Sequence, residues 1–143
     1  MERPITTKQH AFIDYVTSAM LPILSKALEP RTSTRTLLSG VAAMTTGQTV
    51  ITDFEGGKVG LIPMQAHLTA DAMIGVGLLG AAVLMKNETP AVRMVLAGLG
   101  VFSIAAAALT DPIPEGKGRT FAERTAEKVR QMAGRTAGEL AGA

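Results

Sequence analysis

The chain has no cysteine, which excludes disulfides, thiol nucleophiles and thiolate-ligated metals. It has no tryptophan and a single tyrosine, Tyr15, so the aromatic belt that often marks membrane interfaces is thin. Charge is scarce through the middle, concentrated instead before residue 10, in short connections and after residue 110. The net charge of +2 gives no case for nucleic acid as a partner. A sequence pI near 9.2 comes largely from the basic tail. The N-terminus lacks a basic region followed by an apolar run and a small-residue cleavage site, so no cleavable signal peptide is expected and membrane insertion would use the helices themselves. No G-x-x-x-x-G-K-[ST] pattern occurs, so the glycines read as packing residues rather than as a phosphate loop.

What the chain does have is apolar segments. Its 143 residues suit one domain, and four segments are expected as helices: roughly 9–28, 36–52, 64–85 and 91–110. The first carries Pro22, which should kink it. The second is the most polar, with Ser39, Thr45, Thr46, Gln48 and Thr49, residues that suit hydrogen bonds inside a bundle. The third holds Gly75, Gly77 and Gly80, with Gly77 and Ala81 at small-xxx-small spacing. The last two are about 20 residues long, about 30 Å as helices, which matches the hydrocarbon thickness of a bilayer. Neither 73–85 nor 94–110 shows the charged stripe of a soluble amphipathic helix. The expected fold is all-α: a four-transmembrane-helix bundle of two tandem hairpins over residues 1–114, followed by a charged, amphipathic C-terminal helix over 115–143. The alternative is a soluble four-helix bundle.

The stretch 52–71, TDFEGGKVGLIPMQAHLTAD, is the seam of a repeat. Its end resembles QHAFID at 9–14, and its start resembles LTDPIPEG at 109–116. His10 and His67 are 57 residues apart, as are Asp14 and Asp71. Arg35 and Arg93 are 58 apart, as are Gly40 and Gly98, and Asp53 and Asp111. One inserted residue between the helices explains the change of offset. Repeat 1 is about 9–53 and repeat 2 about 66–111. Tandem two-helix repeats keep one orientation, which implies a pseudo-two-fold axis along the membrane normal. His10, Asp14, Asp53, His67, Asp71 and Asp111 would then lie near one membrane face.

His and Asp at i and i+4 share a helix face, so two such helices can aim two imidazoles and two carboxylates at one centre. His10, Asp14, His67 and Asp71 are therefore candidate ligands for a divalent metal such as zinc, manganese or ferrous iron. Asp53 and Asp111 would add ligands or orient the histidines. The same groups could bind or relay protons. Two other readings stand beside these: local His–Asp pairs that fix helix ends, and aspartates that open turns. Arg35 and Arg93 open the second and fourth helices on the opposite face, either as snorkelling side chains or as an anion or lipid-headgroup site. No nucleophile–base arrangement is evident, so no catalytic residue is assigned and the question of an enzyme stays open, leaning against one.

The repeated H-x-x-x-D start, the two-helix unit and the joint TDFEGGKVGLIPMQAHLTAD together resemble the SPW-repeat family of small bacterial membrane proteins, over roughly residues 9–111. Leu28-Glu29-Pro30 and Glu88-Thr89-Pro90 stand where that family's Ser-Pro-Trp tripeptide would lie. The resemblance implies a four-helix inner-membrane protein and supplies no established activity. The reading from sequence is a multi-pass protein of the bacterial inner membrane with a structural or interaction role, the lipid bilayer as its partner and small-residue faces that suit a homo-oligomer. The metal- or proton-binding protein is the alternative. Lysines and arginines flanking the helices lean towards both termini in the cytoplasm.

Overall fold

The computed structural model describes residues 3–114 and residue 130; the expected C-terminal helix over 115–143 lies outside these, apart from Arg130. The described residues form four helices and no strand: α1 (Thr7–Leu28), α2 (Thr32–Ile51), α3 (Met64–Leu84) and α4 (Pro90–Leu109). Three of them, α1, α3 and α4, are long and apolar enough to cross a membrane. α2 is comparable in length but carries the Ser, Thr and Gln residues that lower its apolarity.

Local chemistry sets the helix ends. Thr6 caps α1 by accepting the Gln9 N–H at 3.3 Å, while the Gln9 side chain accepts the Thr6 N–H at 2.9 Å, a reciprocal capping box. Glu29 ends α1 in the left-handed region at φ 46°, and Pro30 prevents continuation. α1 runs on through Pro22, which sits on an exposed part of the helix. α2 begins at Thr32, earlier than the sequence suggests, because Thr34 is fully buried and its hydroxyl bonds Glu88 in the α3–α4 connection. Thr89 accepts the Val92 N–H at 3.3 Å, with Pro90 in the first turn of α4, where a missing N–H costs nothing.

α1 packs on α2 and α3 on α4 as two antiparallel hairpins. At the end where α1 and α3 start, short backbone pairings tie the chain together. Ile5 N–H donates to Leu109 O at 3.1 Å and Asp111 N–H to Ile5 O at 2.8 Å. Asp53 N–H donates to Ile62 O at 2.9 Å and Leu61 N–H to Ile51 O at 2.6 Å. At the other end Arg31 N–H donates to Glu88 at 3.1 Å, and the Arg31 side chain donates to Asn87 O at 2.9 Å.

Burial follows the same spacing as the sequence motifs. Thr7, His10, Ala11, Asp14, Ser18, Leu21 and Ser25 are the buried residues of α1. Those of α3 are Met64, His67, Leu68, Asp71, Gly75, Leu78 and Ala82, each 57 residues further on. In α2, Thr34, Leu38, Gln48 and Thr49 are buried, and so are Val92, Leu96, Ala106 and Ala107 of α4, each 58 further on. Two apolar clusters result. One, around Leu21, Leu38, Leu78 and Leu96, fills the bundle towards the α1–α2 and α3–α4 connections. The other, around Ala11, Phe54, Met64 and Leu68, closes the opposite end beneath the 52–63 loop. Between them lies a polar layer. The outer surface is apolar instead: Phe12 is 70% exposed, Met73 70% and Met94 72%, an inversion suited to a lipid surround.

The two hairpins do not pack alike. Gly75 and Gly100 bring α3 and α4 into backbone contact, so a Cβ on either would lie 2.7 Å from the other's carbonyl oxygen. Their counterparts in the first hairpin are Ser18 and Ala42. Gly77, expected from its spacing to be a contact residue, is exposed and has nothing near the place of a Cβ. Gly75→Ala and Gly100→Ala should therefore each destabilise by about 1–3 kcal/mol, whereas Gly77→Ala should be neutral or stabilising by up to about 1 kcal/mol. Thermal unfolding of the three variants in one mild detergent checks this; equal effects would place the close approach elsewhere.

Candidate metal centre

His10 and Asp14 lie one turn apart near the start of α1, and His67 and Asp71 repeat that spacing in α3. All four are buried, at 1%, 6%, 0% and 4% exposure. α1 and α3 face each other here, so the imidazole rings meet edge to face with centroids 5.3 Å apart. The shortest His10–Asp contact and one of the two short His67 contacts cross between helices. His10 Nε2 is 2.9 Å from Asp71 Oδ2, and His67 Nε2 is 3.0 Å from Asp14 Oδ2. Within one helix His67 Nε2 is 3.1 Å from Asp71 Oδ2, and His10 Nε2 is 3.5 Å from Asp14 Oδ1. The local His–Asp pairs allowed by the sequence thus belong to one four-membered cluster, whose ligand atoms all lie within 4.8 Å of one another.

The far side of each ring fixes its tautomer. His10 Nδ1 is 2.8 Å from Thr110 Oγ1, and His67 Nδ1 is 2.9 Å from Thr52 Oγ1. Each threonine hydroxyl also lies against a backbone carbonyl one turn back: Thr110 on Ala106 O at 2.6 Å, Thr52 on Gln48 O at 2.5 Å. A carbonyl only accepts, so the hydroxyl proton lies in that bond. The threonine oxygen then accepts from Nδ1–H, and both Nε2 atoms carry their lone pairs towards the carboxylates in the neutral rings. A lone pair cannot sit 2.9–3.0 Å from a carboxylate oxygen without a proton or a metal ion between them. Two buried carboxylates also require two positive charges, supplied equally by two protons or one divalent ion.

The donor set fits a metal. Ligands about 2.0–2.1 Å from a tetrahedral ion are about 3.3–3.4 Å from one another. The His–Asp distances are 2.9–3.5 Å, with Asp14 facing His10 through Oδ1 and His67 through Oδ2, so the four groups lie near enough to close on one ion with small adjustments of the side chains. The threonines would hold the imidazoles from behind, as the outer partners of metal-bound histidines commonly do. α2 adds donors to the carboxylates. The Gln48 amide donates to Asp71 Oδ1, and the Thr49 hydroxyl shares its one proton between Thr45 O at 2.7 Å and Asp14 Oδ2 at 2.9 Å. Ser103 of α4 donates to the Asp71 backbone carbonyl at 2.7 Å.

The other sequence candidates lie outside the cluster. Asp111 accepts the Ile113 N–H at 3.0 Å in the turn after α4. Asp53 begins the loop after α2, with its N–H on Ile62 O and its side chain beside Gly60, whose φ is +69°. Arg93 donates to Ala82 O at 2.8 Å, satisfying one of the carbonyls that the end of α3 leaves open. Arg35 is exposed. Thr52, Thr110, Gln48 and Thr49 were not singled out as site residues. For the two threonines a signal existed, since each precedes an aspartate at the same 58-residue spacing, in ITD and LTD.

No family model, curated protein or solved structure matches the chain. The chemistry of the centre itself therefore carries the functional reading.

Thr52→Val and Thr110→Val each leave a buried imidazole N–H without its acceptor. Each should cost about 1–3 kcal/mol of stability, while Thr→Ser at the same positions should cost less than half as much. Chemical or thermal unfolding reads the difference. Equal losses for Val and Ser would mean that the methyl group, and not the hydroxyl, matters there.

Proposed function

We propose that this is a small multi-pass protein of the bacterial inner membrane whose two helical hairpins jointly hold one divalent first-row metal ion at His10, Asp14, His67 and Asp71. Zinc, manganese and ferrous iron suit the two-nitrogen, two-carboxylate donor set. The observation that carries the reading is the pair of Nδ1–threonine bonds, which leaves both Nε2 atoms facing the carboxylates. All four helices cross the bilayer in this reading, α2 included, because it pairs with α1 along an antiparallel hairpin. The apolar outer surface and the three apolar helices support it. Both termini then lie on one side, the cytoplasmic side by the distribution of Lys and Arg. The recurrence of buried positions at 57 and 58 residues supports a tandem duplication of one hairpin with pseudo-two-fold symmetry.

A second reading is a proton-filled structural network that joins the hairpins and serves a structural or interaction role. It is favoured by the His–Asp distances of 2.9 and 3.0 Å, which are also ordinary hydrogen-bond lengths.

Two measurements test the proposal, the first its membrane placement and the second the metal against the proton network. The chain should stay with membranes through an alkaline carbonate wash; release into the supernatant would favour a soluble bundle. Protein purified in mild detergent without chelator should carry one equivalent of metal by plasma mass spectrometry, and the His10→Ala/His67→Ala variant none. A metal-free parent that takes up none of the three ions on addition would leave the structural network.

A further inference from the structure

The four-residue centre is closed on one side and open on the other, and the difference lies between helices that otherwise match. On the α2 side, Gln48 and Thr49 cover the carboxylates with hydrogen bonds. Their counterparts 58 residues on are Ala106 and Ala107 of α4, which bear no polar group and reach less far. A cavity of about 40 Å³ occupies the space this leaves. It is lined by His10, Asp14 and Asp71 but not by His67, and its wall includes Ala106, Ile13 and Phe102. Apart from the centre, only hydroxyls interrupt an apolar wall, and no other charged side chain reaches it. Phe102, 46% exposed, places one edge of the cavity at the outer surface between α1 and α4.

We propose that this cavity admits a small neutral molecule, such as a diatomic gas, to a fifth coordination position on the metal beside its four protein ligands, entering from the bilayer between α1 and α4. The proposal rests on the metal-centre reading. Metal sites that bind external ligands keep a position unfilled by protein, and here the unfilled side coincides with the cavity. Size and polarity select the occupant. One water needs about 10–15 Å³ of such volume, so the cavity of about 40 Å³ holds about three or four heavy atoms. An apolar wall with no second charge disfavours an anion, and the hydrocarbon around α1 and α4 takes up neutral gases more readily than ions.

Nitric oxide is a suitable probe, because its complex with ferrous iron gives a distinctive paramagnetic resonance signal. The protein is loaded with Fe²⁺ anaerobically in detergent, its iron content measured, and nitric oxide titrated in. The parent should give a ferrous-nitrosyl signal matching its iron content. Ala106→Leu fills the cavity and should abolish that signal at unchanged iron content, and the milder Ala106→Val should weaken binding. Iron bound in the parent without a nitrosyl signal would overturn the proposal, as would a signal equally strong in both variants. A parent that binds no iron, manganese or zinc would instead remove the metal reading, and this inference with it.

Discussion

Two carboxylates buried between apolar helices constrain everything around them. Asp14 and Asp71 are buried, at 6% and 4% exposure, and an uncompensated charge there would cost several kcal/mol. Compensation comes from both imidazoles together: His10 meets Asp71 across the hairpins, while His67 meets both Asp14 of the other hairpin and Asp71 of its own helix. The hairpins are held together by this exchange as much as by Leu21, Leu38, Leu78 and Leu96 meeting in the core.

The surrounding architecture positions that exchange. Thr52 and Thr110 directly follow α2 and α4, and their hydroxyls turn back onto the last turn while accepting from a histidine on another helix. The backbone pairings of Ile5 with Thr110 and of Thr52 with Ile62 hold those threonines in register with the starts of α1 and α3. The matched halves are then broken in two places. Gly75 and Gly100 draw α3 and α4 together where Ser18 and Ala42 stand in the first hairpin. Gln48 and Thr49 cover one flank of the centre where Ala106 and Ala107 leave the other open. Of these two flanking helices, α2 alone sends donors to the carboxylate oxygens, while from α4 Ser103 reaches only the Asp71 backbone carbonyl, so the cluster is asymmetric in what it can bind.

Much of this was legible from residue types and spacing. The helices follow from the apolar runs, while their ends shift by a few residues, α1 starting at Thr7 and α2 at Thr32 rather than near 9 and 36. The gathering of His10, Asp14, His67 and Asp71 follows from two equal spacings on helices of one orientation. The crossed pairing was not legible, because i,i+4 spacing favours the local partner just as well and only the interhelical distance decides. The roles of Thr52 and Gln48 were hidden for a similar reason. In an apolar segment such residues look like generic interhelical hydrogen bonders, and which carboxylate or imidazole each meets depends on helix rotation. Asp53 and Asp111 share the repeat spacing but sit just beyond the helix ends, where the chain has already turned away from the four-residue centre. Among the glycines, spacing pointed to Gly77, yet contact falls on Gly75 and Gly100, since rotation about the helix axis sets which face meets the neighbour.

The central claim is that imidazoles from both hairpins meet at one ion. X-ray absorption at the edge of the bound metal tests it most directly. The account predicts a first shell containing two imidazole nitrogens and carboxylate oxygens at about 2.0–2.2 Å, with the outer-shell scattering of two histidine rings. A shell of oxygen alone, or of a single imidazole, would contradict it.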